Sequence, residues 1–271
     1  MTPWEVLALF GSALAAGAIN AVAGGGTVLT FPVLLASGCG AVAANATSTF
    51  ALTLGTTGSL FGFRRHWTST RPWLRRFVPV CILGGLLGSA LVHIQGEAIF
   101  VKAVPWLLLF ATSLFLAQRP LQRWIESRLP AKASTPSTPS SPSSPIPAPH
   151  LSAAAAIALQ AAVALYGGYF GAGIGILMLA LLAFQGLSNI HQMNALKNML
   201  GATINATASL YFALSGLVDW PRAAIMVAGA LLGYWLGAHY SQKIPQATVR
   251  TLVVAIGLAI SAALFYKLLR P

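Results

Sequence analysis

The chain has 271 residues, of which 56% are apolar and only 7% charged, with a net charge of +12. A soluble domain of this size needs roughly a quarter of its residues charged to cover its surface, so that class is excluded. The positive charge would suggest nucleic acid in a soluble protein. Here it gathers in short stretches between apolar runs, as at the cytoplasmic face of membrane proteins, and no nucleic-acid partner is expected.

In chain order, apolar segments cover about 4–37, 42–63, 77–95 and 98–117, then 151–187, 193–214, 220–240 and 247–269. The N-terminus lacks a basic region ahead of its first apolar run, so no removable signal peptide is expected. As one helix, residues 3–37 would be roughly 52 Å long, well beyond a bilayer core of about 30 Å. Gly24, Gly25 and Gly26 sit mid-segment and favour a break there. The next segment opens on Asn45, Thr47, Ser48 and Thr49. A basic loop follows, Arg64, Arg65, Arg71, Arg75 and Arg76 with Trp67 and Trp73, of the kind found at a cytoplasmic membrane surface. Gly84 and Gly88 form a GxxxG spacing that lets helices approach closely. Cys39 and Cys81 lack CxxC spacing or a histidine cluster and read as packing residues, with no metal site.

Residues 118–150 form a linker whose core, Ser134 to Pro149, is almost entirely Ser, Pro, Thr and Ala and cannot bury apolar surface. The domain reading is a first transmembrane repeat over 1–117, a cytoplasmic Ser/Pro-rich linker over 118–150, and a second transmembrane repeat over 151–271. The halves match. Ala21–Gly38 aligns without gaps on Tyr169–Gly186, so Gly171, Gly173 and Gly175 break the second long segment as the first triplet breaks the first. One residue of slip sets Asn45–Thr49 over Asn194–Asn198, and Gly84 and Gly88 fall opposite Gly229 and Gly233. The fold class expected is therefore an all-α polytopic membrane protein of two internal repeats, each of four apolar segments with a broken first segment. Charge counting places twelve of the sixteen basic residues inside whether the repeats are inverted or parallel. The inverted 5+5 arrangement is favoured because 35 residues suit a hairpin better than a single crossing.

Two broken helices place helix N-termini, with unpaired N–H donors and partial positive charge, deep in the protein, where they suit an anion. Lipid-exposed breaks would leave backbone groups unpaired, so these breaks belong inside the bundle. Thr27 follows the first triplet and adds a hydroxyl, and Asn20 precedes it. On the second half, Asn194, Lys197, Asn198 and Asn205 share one helix face. Asp219 is the one carboxylate of that half and sits at a span end, so an anionic substrate is the natural partner for Lys197. The alternative is that Lys197 snorkels to the interface. Glu5, Glu97, Glu126 and Asp219 all lie near segment ends, which leaves no buried carboxylate relay. No Ser-His-Asp set, HExxH or nucleotide loop appears, so neither an enzyme nor a cofactor is expected.

The residues AINAVAGGGTVLTFPVLL followed by ANATST, and YGGYFGAGIGILMLALL followed by NALKNML and GLVDW, resemble the TauE/SafE family of sulfite exporters, also called sulfonate uptake permeases. The likeness covers nearly the whole chain except the linker, which is longer than the family pattern. It implies a transport role and a small sulfur-containing anion such as sulfite or an organosulfonate. The expected substrate-binding set is Gly24, Gly25, Gly26, Thr27, Asn45, Thr47, Ser48, Gly171, Gly173, Gly175, Asn194, Lys197, Asn198 and Asn205. Transport by alternating access in the inner membrane is the expected activity, with a passive anion channel as the rival. The expected partners are the anion and the lipid bilayer, with a homo-oligomer also admitted.

Overall fold

The computed structural model describes residues 1–22, 25–60, 67–128, 152–187, 189–240 and 246–269. Gly24 and residues 129–150 of the linker lie outside the described residues. All regular structure among the described residues is helical: α1 (Pro3–Val22), α2 (Thr27–Ala36), α3 (Ala41–Leu60), α4 (Trp67–Arg128), α5 (Ala153–Tyr169), α6 (Ile174–Phe184), α7 (Ile190–Leu214), α8 (Trp220–Tyr240) and α9 (Gln246–Leu269). Both long first segments are broken where glycines interrupt them, giving α1 and α2 in one half and α5 and α6 in the other.

Helix α4 joins two apolar segments that the sequence separates. Its two limbs meet at Gly96, whose φ of 69° and ψ of −178° lie in a region open essentially to glycine alone. The first limb begins at Trp67, about ten residues before the expected apolar segment, so Arg71, Arg75 and Arg76 are exposed on a helix rather than in a loop. The second limb continues through Arg128, so residues 118–128 of the expected linker are helical. The reason is amphipathicity: Leu121 and Trp124 stay packed, Trp124 against the ring of Phe184 at 5.0 Å, while Arg119 and Arg123 face outward.

The helices Pro3–Ala21 and Thr70–Leu121 contain stretches long and apolar enough to cross a membrane. Leu83, Leu87, Ile94, Trp106, Leu210 and Leu214 point outward and are exposed. In water this would be an intolerable apolar surface; facing lipid it is the ordinary exterior of a membrane protein. Inside, Phe31, Phe100, Phe115, Phe170 and Phe212 are fully buried.

The halves interlock. α1 lies along α8, with Gly229 on the Phe10 carbonyl, Gly233 on the Leu14 carbonyl and Gly237 on Ala18, so the two run in the same direction. In the same way α5 lies along the first limb of α4, with Gly84 on Ala164 and Gly88 on Leu165 and Tyr169. At the Gly96 end, Arg222 at the start of α8 donates to the Ser37 carbonyl at 2.7 Å and pairs with Asp219. α1 therefore starts, and α2 ends, at that end. At the opposite end of the first limb, Arg76 donates to the Ala153 carbonyl at 2.8 Å, and Trp124 meets Phe184. There α5 starts and α6 ends. Each pair is thus a hairpin, and the two hairpins enter from opposite ends of the molecule.

Both hairpins close on similar glycine caps. Gly38 donates to the Leu35 carbonyl after α2, and Gly186 to the Ala183 carbonyl after α6. The first N–H groups of α3 are held by Glu97, which accepts from Ala41 and, at 3.0 Å, from Val42. Glu97→Ala leaves those donors without their cap and weakens the Gly96 end. The expected cost is about 1 kcal/mol, read as a lower thermal midpoint in detergent.

Candidate functional site

The hairpin tips converge on one turn of α4's second limb. Gly25 packs on the ring of Phe115 so closely that an added Cβ would fall 2.0 Å from it. Gly173, at φ 80° the residue from which α6 starts, rests on Leu114 and the Ala111 carbonyl. The broken segments do meet in the interior, as the glycines predict.

At the first tip, the Gly26 N–H donates to Asn20 Oδ1 at 2.7 Å, so one donor of α2 is already taken. Thr27, half-buried, opens α2. One turn on, Thr30 and Ser48 share a hydrogen bond of 2.6 Å that ties α2 to α3. At the second tip, the Gly171 N–H is held by the Tyr166 carbonyl at 3.2 Å, and the Tyr166 hydroxyl donates to the Ala172 carbonyl at 2.7 Å. Asn20 and Tyr166 brace the two breaks, and sequence reasoning missed Tyr166. Its signal was its place immediately before Gly167 and Gly168.

Helix α7 carries the polar face. Asn205 Oδ1 comes within 3.7 Å of where a Gly171 Cβ would stand, and the stem of Lys197 crosses the first turn of α6, its Cδ 3.4 Å from a Gly175 Cβ position. Gly175 belongs to α6 rather than to the break, and its missing side chain leaves the channel along which Lys197 lies. Asn194 and Asn198 flank Lys197 and are half-buried. Lys197 has no hydrogen bond or ion pair among the described residues. Asp219, its one conceivable partner in the second half, is paired with Arg222 instead.

Other expected site residues are placed elsewhere. The Thr53 hydroxyl reaches the Asn205 carbonyl and the Ser209 hydroxyl reaches the Thr49 carbonyl, so α3 and α7 cross antiparallel. Asn45 lies nearly two turns to one side of that crossing and Lys197 nearly three turns to the other, roughly 24 Å apart along the helix axes. They do not line one pocket. Asn45 donates to the Tyr169 carbonyl at 3.0 Å, at the far side of the second tip. The Thr47 hydroxyl accepts the Asp219 N–H at 2.9 Å and faces the Gly96 end, away from the tips. The residues brought together on the Lys197 side are Gly171, Gly173, Gly175, Lys197, Asn198 and Asn205. An α-helix N-terminus beside an unpaired ammonium is a site for an anion: the helix offers donors and partial positive charge, the lysine a full charge.

The family model described as "Sulfite exporter TauE/SafE" matches residues 9–264. Among curated proteins, the probable membrane transporter protein YfcA of Escherichia coli K12 is 26% identical over 267 residues, 98% of this chain and 91% of the relative. A probable membrane transporter protein of Haemophilus influenzae is 28% identical, covering 95% of this chain and 93% of its own length. The probable membrane transporter protein ORF9 of a Sinorhizobium species is 23% identical, covering 94% and 90%. No solved structure gives a significant match.

Proposed function

The chain belongs to the TauE/SafE sulfite exporter family, and from that premise we propose that it carries a small sulfur-containing oxyanion across the inner membrane by alternating access between two inverted repeats. As a membrane transporter it is not an enzyme. The observation that carries the anion reading is the stem of Lys197 laid against Gly175 on the first turn of α6, with no counter-charge among the described residues. An unpaired ammonium inside a membrane protein costs a few kcal/mol, and a bound anion removes that cost. In this reading the α6 N-terminus at Gly173 and Gly175 and the amides of Asn194, Asn198 and Asn205 complete the shell. Gly25, Gly26 and Thr27 offer a second helix N-terminus, with Ser48 of α3 bound to Thr30 one turn behind it.

Support for inversion comes from the hairpins, which open toward opposite ends, and from the reciprocal pairs α1 with α8 and α5 with α4. Such a pair of halves can rock about the α3–α7 crossing and expose its tips to either side in turn. Uptake into proteoliposomes of sulfite, thiosulfate, taurine and sulfoacetate, with acetate as control, tests the reading. Saturable flux with counterflow is expected for at least one sulfur oxyanion and not for acetate. Flux that rises linearly without counterflow indicates a passive channel, and equal flux of every anion removes the substrate class.

A further inference from the structure

The side of the second hairpin tip away from Lys197 has the opposite chemistry. The last carbonyls of α5 end there, carrying the partial negative charge of a helix C-terminus. Asn45 meets them: it is 1% exposed, and its Nδ2 donates to the Tyr169 carbonyl at 3.0 Å. That bond fixes which end of the amide is nitrogen and leaves Oδ1 as an acceptor. Oδ1 is buried with no hydrogen-bond partner among the described residues. A buried amide oxygen left unpaired is costly, and here it belongs to the same side chain whose Nδ2 binds the Tyr169 carbonyl.

Two neutral oxygens at a helix C-terminus call for a cation or a donor. The surroundings choose the kind. Phe31 and Phe170 pack edge to face at 5.7 Å, and Phe100 covers Tyr169 at 5.6 Å, so the walls are apolar. Glu97 of α4, at the start of α3 one turn before Asn45, is committed to the N–H groups of Ala41 and Val42. Divalent cations take carboxylate-rich shells, whereas neutral oxygens suit a weakly charged ion. We propose that Asn45 Oδ1 and the Tyr169 carbonyl form part of a Na⁺ site, so that the broken second segment presents its α6 N-terminus to the anion and its α5 C-terminus to a cation. Both ions would then be held by one hairpin and move with it, which couples anion movement to a Na⁺ gradient.

The test uses the whole purified protein without any anion substrate, so it stands apart from the transport reading. Thermal unfolding is followed by tryptophan fluorescence in NaCl, KCl or N-methylglucamine chloride at equal ionic strength. The wild-type midpoint rises in NaCl alone, by about 3 °C at ten times the dissociation constant. Asn45→Leu, close in volume, loses that rise; Asn45→Asp keeps it and half-saturates at about tenfold lower Na⁺. Gly11→Ala, on an open face of α1, keeps it unchanged. Equal midpoints for the wild type in all three salts would mean that Oδ1 is satisfied by a buried water, and would overturn the proposal. An Asn45→Asp protein with an unaltered Na⁺ dependence would overturn it as well.

Discussion

Lys197→Met lowers affinity for the transported anion by about a hundredfold while leaving the unliganded protein as stable as before or more so. The two halves of that expectation come from one fact. Lys197 carries a charge whose stem lies inside the protein and which finds no acceptor or counter-charge among the described residues. Removing it takes away a charge-assisted bond to the anion, worth roughly 1.5–3 kcal/mol, which spans ten- to about a hundredfold in affinity. Removing it from the empty protein also removes an uncompensated ammonium, which costs a few kcal/mol in a membrane interior. Methionine keeps the length of the stem and fills the groove over Gly175, so no cavity opens. Isothermal titration with the anion identified in the uptake panel, beside thermal unfolding of the empty protein, reads both. A lysine that merely snorkels to the interface would give the reverse: unchanged affinity and lower stability from lost packing. An unaltered dissociation constant in Lys197→Met removes Lys197 from the site.

The long-range order of this molecule is written in its glycines, and the sequence shows it plainly. A largely apolar segment of 35 residues with three glycines at the centre has one economical solution, a break inside the protein, and α1 ends at Val22 and α2 starts at Thr27. What the sequence hid is proximity. Asn45 and Asn194 are equivalent in the alignment of halves, and equivalence invites the idea that their neighbours line one pocket. Where two hairpins enter from opposite ends, equivalent residues are carried to opposite depths unless they lie near the crossing. Asn205 and Thr53 do lie there and touch; Asn45 and Lys197 do not. Thr47 was hidden for a more local reason. It stands in the same polar run as Asn45 and Ser48, but at two residues from Asn45 it points to another face of α3 and ends on Asp219. The early start of α4 was hidden because hydropathy stops at the first arginines, whereas a helix can project past the bilayer with Arg71, Arg75 and Arg76 in water.

Gly88→Ala and Gly233→Ala each cost about 2–3 kcal/mol, a large fraction of the stability of any fold, and each does so by parting one half from the other. An added Cβ at Gly88 falls 2.2 Å from the Leu165 carbonyl oxygen, and one at Gly233 falls 2.1 Å from the Leu14 carbonyl oxygen. Both obstacles are backbone atoms of a neighbouring helix, so no rotamer change relieves them and the helices must separate. Apolar lipid offers no hydrophobic penalty for separating them, so close packing is what the pair has to lose. Gly11→Ala on α1 is the control: nothing lies within 4 Å of its Cβ position, and alanine there is expected to raise stability by about 1 kcal/mol through helix propensity. The measurement is unfolding by heat in detergent together with the yield of monodisperse protein. The two damaging changes should add, since each strikes a different pair, and they should do so in the same units although they lie in different halves. That equality is the informative part. Gly88 of the first half receives α5 of the second, and Gly233 of the second receives α1 of the first, so each half lends its opening helix to the other. Residues 1–128 alone would then lack the partner of α1 and expose the seat of α5, and should recover a folded state only when residues 152–271 are made in the same cell.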